Sequence, residues 1–426
     1  PMQPSIPTSL RICVASALGS TSTVLHANGF DLPDQDAFAV GRGMAFVATA
    51  DNPSAIYYNP AGISQLDGHH LRGGVYGLHL GVEYDSPAGR SFDNENPWHA
   101  VPQVFYTYGP QKLPLTFGLG VFSPFGLSME WPQDTGFRTV ATEGSLTYTT
   151  VNPVVAWAIR PNLSIAAGLT ANYAEIDLRQ GLLWPSQSYD AFRVKGDGWD
   201  LGYNLGVLWK PCEKLSFGAS FRSITTPNLE GRTSFRNGVA LPLPGGAGVP
   251  SFAQQKVDAE ADFPFPLKTI VGVSYRPNPR WNFEFNADYT DWNRLNTVTV
   301  KQAAAFPPLL PQDIPMTFDW ESSWYFEWGA TRYFDNGWHV SGGYIFNQNS
   351  VPDEHYTPLV ADLDRHVFSL GVGRRGNHVS FDLAYQFGYG PTRTVRGSAP
   401  SASGQSVDGD YEVFNHGLML TVGYQF

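Results

Sequence analysis

Charge is scarce in this chain: 15% of its 426 residues are Asp, Glu, Lys or Arg, against roughly 25% in ordinary soluble domains. Cations are fewer than anions, 27 against 38, leaving a net charge of −11, and Lys and Arg form no run. Nucleic-acid binding relies on clustered cations, so that class of partner is excluded. Cysteine is nearly absent. Cys13 and Cys212 allow at most one disulfide and match no metal-ligand spacing. Long apolar runs are missing too: a stretch such as 154–159 falls far short of the ~18 to 20 residues a spanning helix needs. Without such a helix a chain crosses a bilayer only as a closed barrel, because closure alone pairs every backbone N–H and C=O inside lipid. The choice is between soluble domains and a barrel. Catalytic signatures are also wanting. The ten His are scattered, His69-His70 has no companion ligands, and neither G-x-S-x-G nor H-E-x-x-H occurs. No catalytic residue, metal ligand or cofactor is therefore assigned. A nucleophile and base far apart in sequence would escape such a search, so a lipid-active outer-membrane enzyme stays as a minor alternative, beside an adhesin.

What the chain has in quantity is aromatic side chains, 14%, with 44 Gly and 33 Pro, a mixture that favours strands and turns. Near its start Arg11 precedes an apolar stretch, 12–18, and Val24-Leu25-His26-Ala27 ends on a small residue. That pattern predicts an export leader at 1–27, cleaved after Ala27.

From residue 69 onward, segment after segment alternates between apolar and small or polar residues, the period of a strand with two unlike faces. Leu201, Tyr203, Leu205, Val207 and Trp209 share one face, with Gly202, Asn204, Gly206 and Lys210 on the other. Trp281, Phe283, Phe285, Ala287 and Tyr289 alternate with Asn282, Glu284, Asn286, Asp288 and Thr290, and a face so rich in carboxylates and amides is expected to be wet. Soluble sandwich strands run ~5 to 6 residues, whereas these runs reach ~10, the length of a tilted membrane-spanning strand. Trp281, Trp292, Trp324, Trp338, Tyr385 and Tyr389 fall near segment ends, where an interfacial aromatic girdle belongs.

The connections alternate in kind. Tight turns at 110–112, 161–162, 211–213, 277–279, 335–336 and 376–377 are separated by longer stretches at 86–97, 131–137, 183–194, 238–255, 303–316, 350–362 and 398–405. Short periplasmic turns alternating with long outer loops are the habit of bacterial barrels. The count is fourteen strands, an even number that returns the C-terminus to its starting side. The last strand carries Leu418, Leu420, Val422, Tyr424 and a terminal Phe426. This yields a 14-stranded antiparallel outer-membrane β-barrel over 69–426. Its lumen is too wide for side chains to fill, so segment 28–68, with little alternation, is expected to be a hatch that plugs it.

With strands and plug placed, the residues resemble the FadL-type long-chain fatty acid transporters of the outer membrane, a family that includes channels for toluene and related hydrocarbons. Asn28-Gly29-Phe30-Asp31-Leu32 with Gly41-Arg42 is similar to the family's mature N-terminus, and Asn59-Pro60-Ala61-Gly62 to its hatch motif. Ser123-Pro124-Phe125-Gly126-Leu127, Val151-Asn152-Pro153 and the segment 216–223 are similar to its third, fourth and seventh strands. Val351-Pro352-Asp353, Thr357-Pro358 and Asp362-Leu363-Asp364-Arg365 resemble a long-loop pattern. The C-terminal strand resembles the signal read by the barrel-assembly machinery.

The resemblance implies capture of a hydrophobic ligand by outer loops, passage to a lumen pocket, and sideways exit into outer-membrane lipid through a kinked third strand. The expected opening lies at Gly120, Pro124, Phe125 and Gly126, where Gly118, Gly120, Pro124 and Gly126 are residues that bend or weaken a strand. Loops 239–252 and 303–316 are apolar with almost no charge, as a capture groove requires. A carboxylate head group would want a cation on the inward face; the candidates are Arg222, Lys268 and Lys301. Near Tyr173, where the resemblance implies a base, this chain has Glu175. The expected state is a monomer, and a neutral aromatic or aliphatic hydrocarbon is the alternative cargo.

Overall fold

The computed structural model describes all residues except 1–28, 183–189, 239, 241–250, 307–309 and 402; the expected leader and its cleavage site lie outside the described residues. A short hatch comes first, with helices α1 (Ala37–Val40) and α2 (Ala55–Tyr58) and a 3-10 turn, Pro60–Gln65. The strands follow: β1 (Gly68–Asp85), β2 (Ser91–Asp93), β3 (Trp98–Gly109), β4 (Leu115–Glu130), β5 (Glu143–Arg160), β6 (Leu163–Gln180), β7 (Asp190–Cys212), β8 (Leu215–Arg222), β9 (Asn228–Asn237) and β10 (Phe252–Asp262). The remainder are β11 (Lys268–Asn278), β12 (Trp281–Thr290), β13 (Thr297–Gln302), β14 (Asp313–Thr317), β15 (Ser323–Tyr333), β16 (Trp338–Asn347), β17 (Arg365–Arg375), β18 (Val379–Val395) and β19 (Gly409–Gln425). Strands β8 with β9, β10 with β11, β12 with β13 and β14 with β15 each form one interrupted stave, and β2 only extends the first hairpin, so the barrel has fourteen staves. Every neighbour is antiparallel, and β1 pairs with β19 from His70–Gln425 to Asp85–Asp410, which closes the sheet.

The period-2 pattern sorts the faces as physics demands. Leu201, Tyr203, Leu205, Val207 and Trp209 are each between 42% and 52% exposed, an outer belt that only lipid can cover without penalty. Trp281, Trp324, Trp338, Tyr385 and Tyr389 also face outward, but Trp292 does not. It sits in a 3-10 turn with its ring 4.7 Å from that of Phe30, buried inside the barrel. Position near a strand end could not distinguish girdle from core, because Trp292 lies beyond the end of β12, where the alternation has stopped.

The carboxylate-rich face of β12 is dry rather than wet. Asn282, Glu284, Asn286, Asp288 and Thr290 are at most 4% exposed, because the hatch covers them. Glu284 accepts hydrogen bonds from the backbone N–H groups of Ala48 (2.7 Å) and Thr49 (3.3 Å) and pairs with Arg42 at 3.3 Å. Asn286 donates to the Met44 carbonyl, 3.3 Å, and Asn282 accepts from Arg42, 2.5 Å. The backbone groups paired here, the Met44 carbonyl and the Ala48 and Thr49 N–H groups, lie between α1 and α2, where no helix or strand of the hatch includes them, and this wall supplies their partners.

Candidate functional site

Three features converge inside the upper half of the barrel: an apolar cavity, an aromatic floor, and a discontinuity in the wall. The cavity measures about 330 Å³ and is lined by Leu146, Ile176, Met316, Phe318, Tyr356 and Leu359 among others. From loop 303–316, Ile314 and Met316 at its far end line the cavity. Most of loop 239–252 lies outside the described residues. Sequence reasoning missed the part played by the loop between β16 and β17, whose Tyr356, Leu359 and Val360 form one side of the cavity. Its short apolar run, 359–361, was the available signal.

Phe30, near the start of the hatch, forms the floor. Its ring is held among Phe125 (6.1 Å), Phe263 (6.0 Å), Phe265 (5.7 Å), Trp292 (4.7 Å) and Trp320 (5.4 Å). Such edge-on packing adds to area burial, and Phe30 also lines the cavity.

Beside the floor the wall is discontinuous. Strands β3 and β4 pair only from Val104–Val121 to Tyr108–Phe117, and β4 shifts register between Phe122 and Phe125. Past the gap, β4 is bridged once more at its end, Glu130, by Glu95 of the segment ahead of β3. Pro124 supplies the cause, since it has no N–H to give a ladder. The freed groups are satisfied from inside: Leu32 N–H donates to the Pro124 carbonyl (2.8 Å), Gly126 N–H to Phe30 (2.9 Å), and Gln35 Nε2 to Ser123 (2.8 Å). Thus Pro124, Phe125 and Gly126 stand at the discontinuity. Gly120 and Gly118 do not; both lie in the paired half, opposite Phe105 and Thr107. They are small because the hatch presses there: a Cβ on Gly118 would stand 2.9 Å from Ile56 Cδ1, and one on Gly120 3.0 Å from Ile56 Cγ2.

Asn59, Pro60, Ala61 and Gly62 form the buried turn that fixes the hatch. Asn59 caps the 3-10 turn by accepting from Ala61 N–H (3.2 Å), while its Nδ2 donates to the carbonyls of Val47 (2.8 Å) and Val207 (2.9 Å), tying hatch to wall. Pro60 occupies the first position of the turn, where its missing N–H costs nothing. Replacing Asn59 by Ala strands two buried carbonyls, and is expected to weaken hatch docking by about 1–3 kcal/mol. Faster amide exchange across 55–65 in detergent, with barrel strands unchanged, is the readout.

The three candidate head-group cations have different fates. Lys268 is buried and held by Asp31 of the hatch at 2.5 Å and by Asp288 at 2.9 Å. Arg222 is half-buried, lies over the Tyr57 ring at 4.4 Å and donates to the Tyr57 carbonyl at 3.3 Å. Lys301 does not face the lumen. On β13 the buried residues are Val298, Val300 and Gln302, and Lys301 is exposed. That segment rises above the lipid belt, where water outside inverts the rule, so apolar residues turn inward and cations outward. Glu175 likewise stands on the outer face, paired with Lys195 at 2.7 Å, and bears on no lumen ligand. A buried cation that sequence reasoning passed over is Arg365, which shares the inner face of β17 with Val367 and Ser369. That parity was its signal.

An apolar outer belt, a closed wall and an internal hatch define a plugged transmembrane β-barrel. The chain belongs to the outer membrane protein transport protein family (OMPP1/FadL/TodX), whose profile matches residues 18–426. It is similar to the long-chain fatty acid transport protein of Salmonella typhi, with 22% identity over 406 residues, 88% of this chain and 91% of that protein. In structure it resembles a Pseudomonas aeruginosa FadL homologue, with a TM-score of 0.80, 18% identity, and coverage of 93% of this chain and 100% of that one. It also resembles the Ralstonia pickettii toluene transporter TbuX, with a TM-score of 0.70, 15% identity, and coverage of 94% and 99%. The protein is therefore an outer-membrane transport barrel, and a family of transport proteins agrees with the expectation that it is not an enzyme.

Proposed function

We propose that this barrel moves an elongated hydrophobic molecule, of the long-chain fatty acid class, from the outside into the outer membrane itself. Ligand enters the loop cavity, passes the Phe30 floor, and leaves sideways between β3 and β4 when residues 30–32 let go of β4. One observation carries this reading: the polar groups at the β4 discontinuity are satisfied by the hatch, through Leu32, Phe30 and Gln35, and not by the neighbouring strand. The same few residues thus seat the floor of the cavity and seal the wall.

The energetics favour a lateral route. Returning a buried alkyl chain to water costs ~0.8 kcal/mol per CH₂, so passage through a polar lumen is strongly uphill for a long chain. Exit into lipid avoids that exposure. The lining of the cavity, largely hydrocarbon, supports a neutral hydrocarbon as a second cargo class. As parts of this reading, residues 1–27 are a removed leader, the barrel works as a monomer, and the strand ending in Phe426 is the one read during assembly.

Uptake of a labelled fatty acid by liposomes containing the purified barrel tests the proposal. Gly126→Val places a β-branched residue at the discontinuity, favouring regular strand. Uptake is expected to fall on the order of tenfold, equivalent to about 1.4 kcal/mol in the barrier. Unchanged uptake would remove the lateral exit, and no uptake by the unaltered protein would remove the function.

A further inference from the structure

The wall loses its pairing a second time, between the stave of β10 and β11 and that of β12 and β13. Strand β11 pairs with β12 up to Lys268–Thr290, and the Asp291 N–H carries the ladder one step further, to the Leu267 carbonyl at 3.1 Å. Pairing resumes only at Glu260–Lys301 and Ala259–Gln302. Between those points residues 261–266 and 292–300 share no backbone hydrogen bond among the described residues. The cause is the sequence Phe263-Pro264-Phe265-Pro266. Phe263 N–H donates to the Pro227 carbonyl (3.1 Å), and Phe265 exchanges bonds with Thr225 (2.8 and 3.3 Å), all toward the stave of β8 and β9. In an extended chain the alternate residues face the opposite neighbour, and here both are prolines with no N–H to give.

Both edges of this gap are apolar on the inside. A narrow arm of about 30 Å³ runs along them, lined by Leu229, Ala261, Phe263, Val298, Val300 and Met316. Phe263 and Met316 also line the 330 Å³ cavity, so the arm is a branch of it. Met316 is an unbranched thioether that repacks by rotation about its own bonds. On the outside the rim is polar: Asp262, Asn293, Arg294, Asn296 and Thr297 are exposed. Tyr289 and Trp324, paired on the outer face of β12 and β15, stand immediately below it. Aromatic residues of this kind mark the membrane–water boundary, which puts the gap at head-group depth. Residues 261–266 take no hydrogen bond from the hatch among the described residues, whereas at β4 the hatch itself makes the seal.

We propose that this second gap is an entry port, through which the hydrocarbon tail of a ligand dissolved in the outer leaflet passes from the bilayer into the cavity. The assignment rests on the transport reading above and deepens it, giving entry and exit separate places in the wall. Prolines keep the edges of the port unpaired, side chains alone close it, and the hatch need not move. A long alkyl chain concentrates in membrane rather than in water, so a port at head-group depth meets the ligand where it is abundant.

The test uses the full chain in liposomes whose bilayer carries labelled oleate. Label held per barrel is counted after timed exposures and at equilibrium, following detergent extraction and gel filtration. Pro264→Thr with Pro266→Thr restores both N–H groups in residues suited to strands, and Ala261→Phe fills the arm. Each is expected to slow loading on the order of tenfold while changing the amount held at equilibrium less than about twofold, because a port sets a rate and not an affinity. Unchanged loading in either folded variant would overturn the port. A loss at equilibrium as large as the loss in rate would make the arm part of the binding pocket and would overturn it too. An unaltered protein that holds no oleate would instead overturn the transport reading beneath it.

Discussion

Replacing Lys268 by methionine is expected to release the start of the hatch from the barrel wall. Lys268 lies between Asp31, 2.5 Å away on the hatch, and Asp288, 2.9 Å away on β12, and all three are buried. Without the ammonium two carboxylates remain in a dry interior, each repelling the other. Breaking a buried ion pair by removing one partner costs about 3–5 kcal/mol, far more than an exposed pair is worth. The loss falls on residues 30–32, because Asp31 pairs with Phe125 between the two hydrogen bonds that Phe30 and Leu32 make to β4. Hydrogen exchange in detergent should show the amides of Leu32 and Gly126 exchanging orders of magnitude faster, with the pairing between β1 and β19 unaffected. Adding Asp31→Asn and Asp288→Asn to the same chain should restore most of the protection. If Lys268→Met alone leaves Leu32 protected, the ion triad does not anchor the hatch.

The second large effect is steric. Two hatch glycines meet two wall glycines backbone to backbone. A Cβ on Gly371 of β17 would stand 2.8 Å from Gly41 Cα, and one on Gly343 of β16 would overlap Gly43. Gly43 has φ of +63°, and a Cβ there would also stand 2.8 Å from the Tyr344 amide nitrogen and 2.9 Å from the Trp328 carbonyl oxygen. Gly343→Val and Gly371→Val together should therefore unseat the hatch, at about 1–3 kcal/mol for each overpacked site. The barrel itself should not suffer, since valine suits an extended strand better than glycine does. Planar-bilayer recordings separate the two outcomes: the unaltered barrel should be closed to ions, and the double variant should conduct. A double variant that stays closed would mean that the hatch tolerates displacement or that the lumen is sealed elsewhere.

Both predictions concern contacts that no local pattern announces. Arg42 and Asn282 are 240 residues apart, and Lys268 and Asp31 are 237. The alternation of β12 marks Asn282, Glu284 and Asp288 as one face, yet a face that binds water and one that grips a plug look alike in sequence. The glycines of β4 show the same ambiguity. Gly118 and Gly120 are weak strand residues by propensity, but they are small because Ile56 of the hatch lies against them, whereas Pro124 interrupts its strand through its own chemistry and was legible alone. Lys301 shows where the alternation misleads: parity is preserved along a stave, but the solvent outside changes from lipid to water, and the inward residues change from polar to apolar with it.

What the sequence by itself determined is the set of properties carried by neighbours in the chain: strand after strand with two unlike faces, tight turns alternating with long loops, an even stave count, and hence a lipid-facing cylinder whose lumen needs a plug. These follow because side-chain direction in a strand depends on parity alone. The tertiary structure decided what stands opposite each inward residue. It made Lys268 a brace, buried Arg365 with no ion pair among the described residues, buried Trp292 under the cavity, and gave the polar groups of the β4 kink to the hatch. Such pairings join residues hundreds of positions apart, and only closing the barrel around its own N-terminal segment brings them within reach.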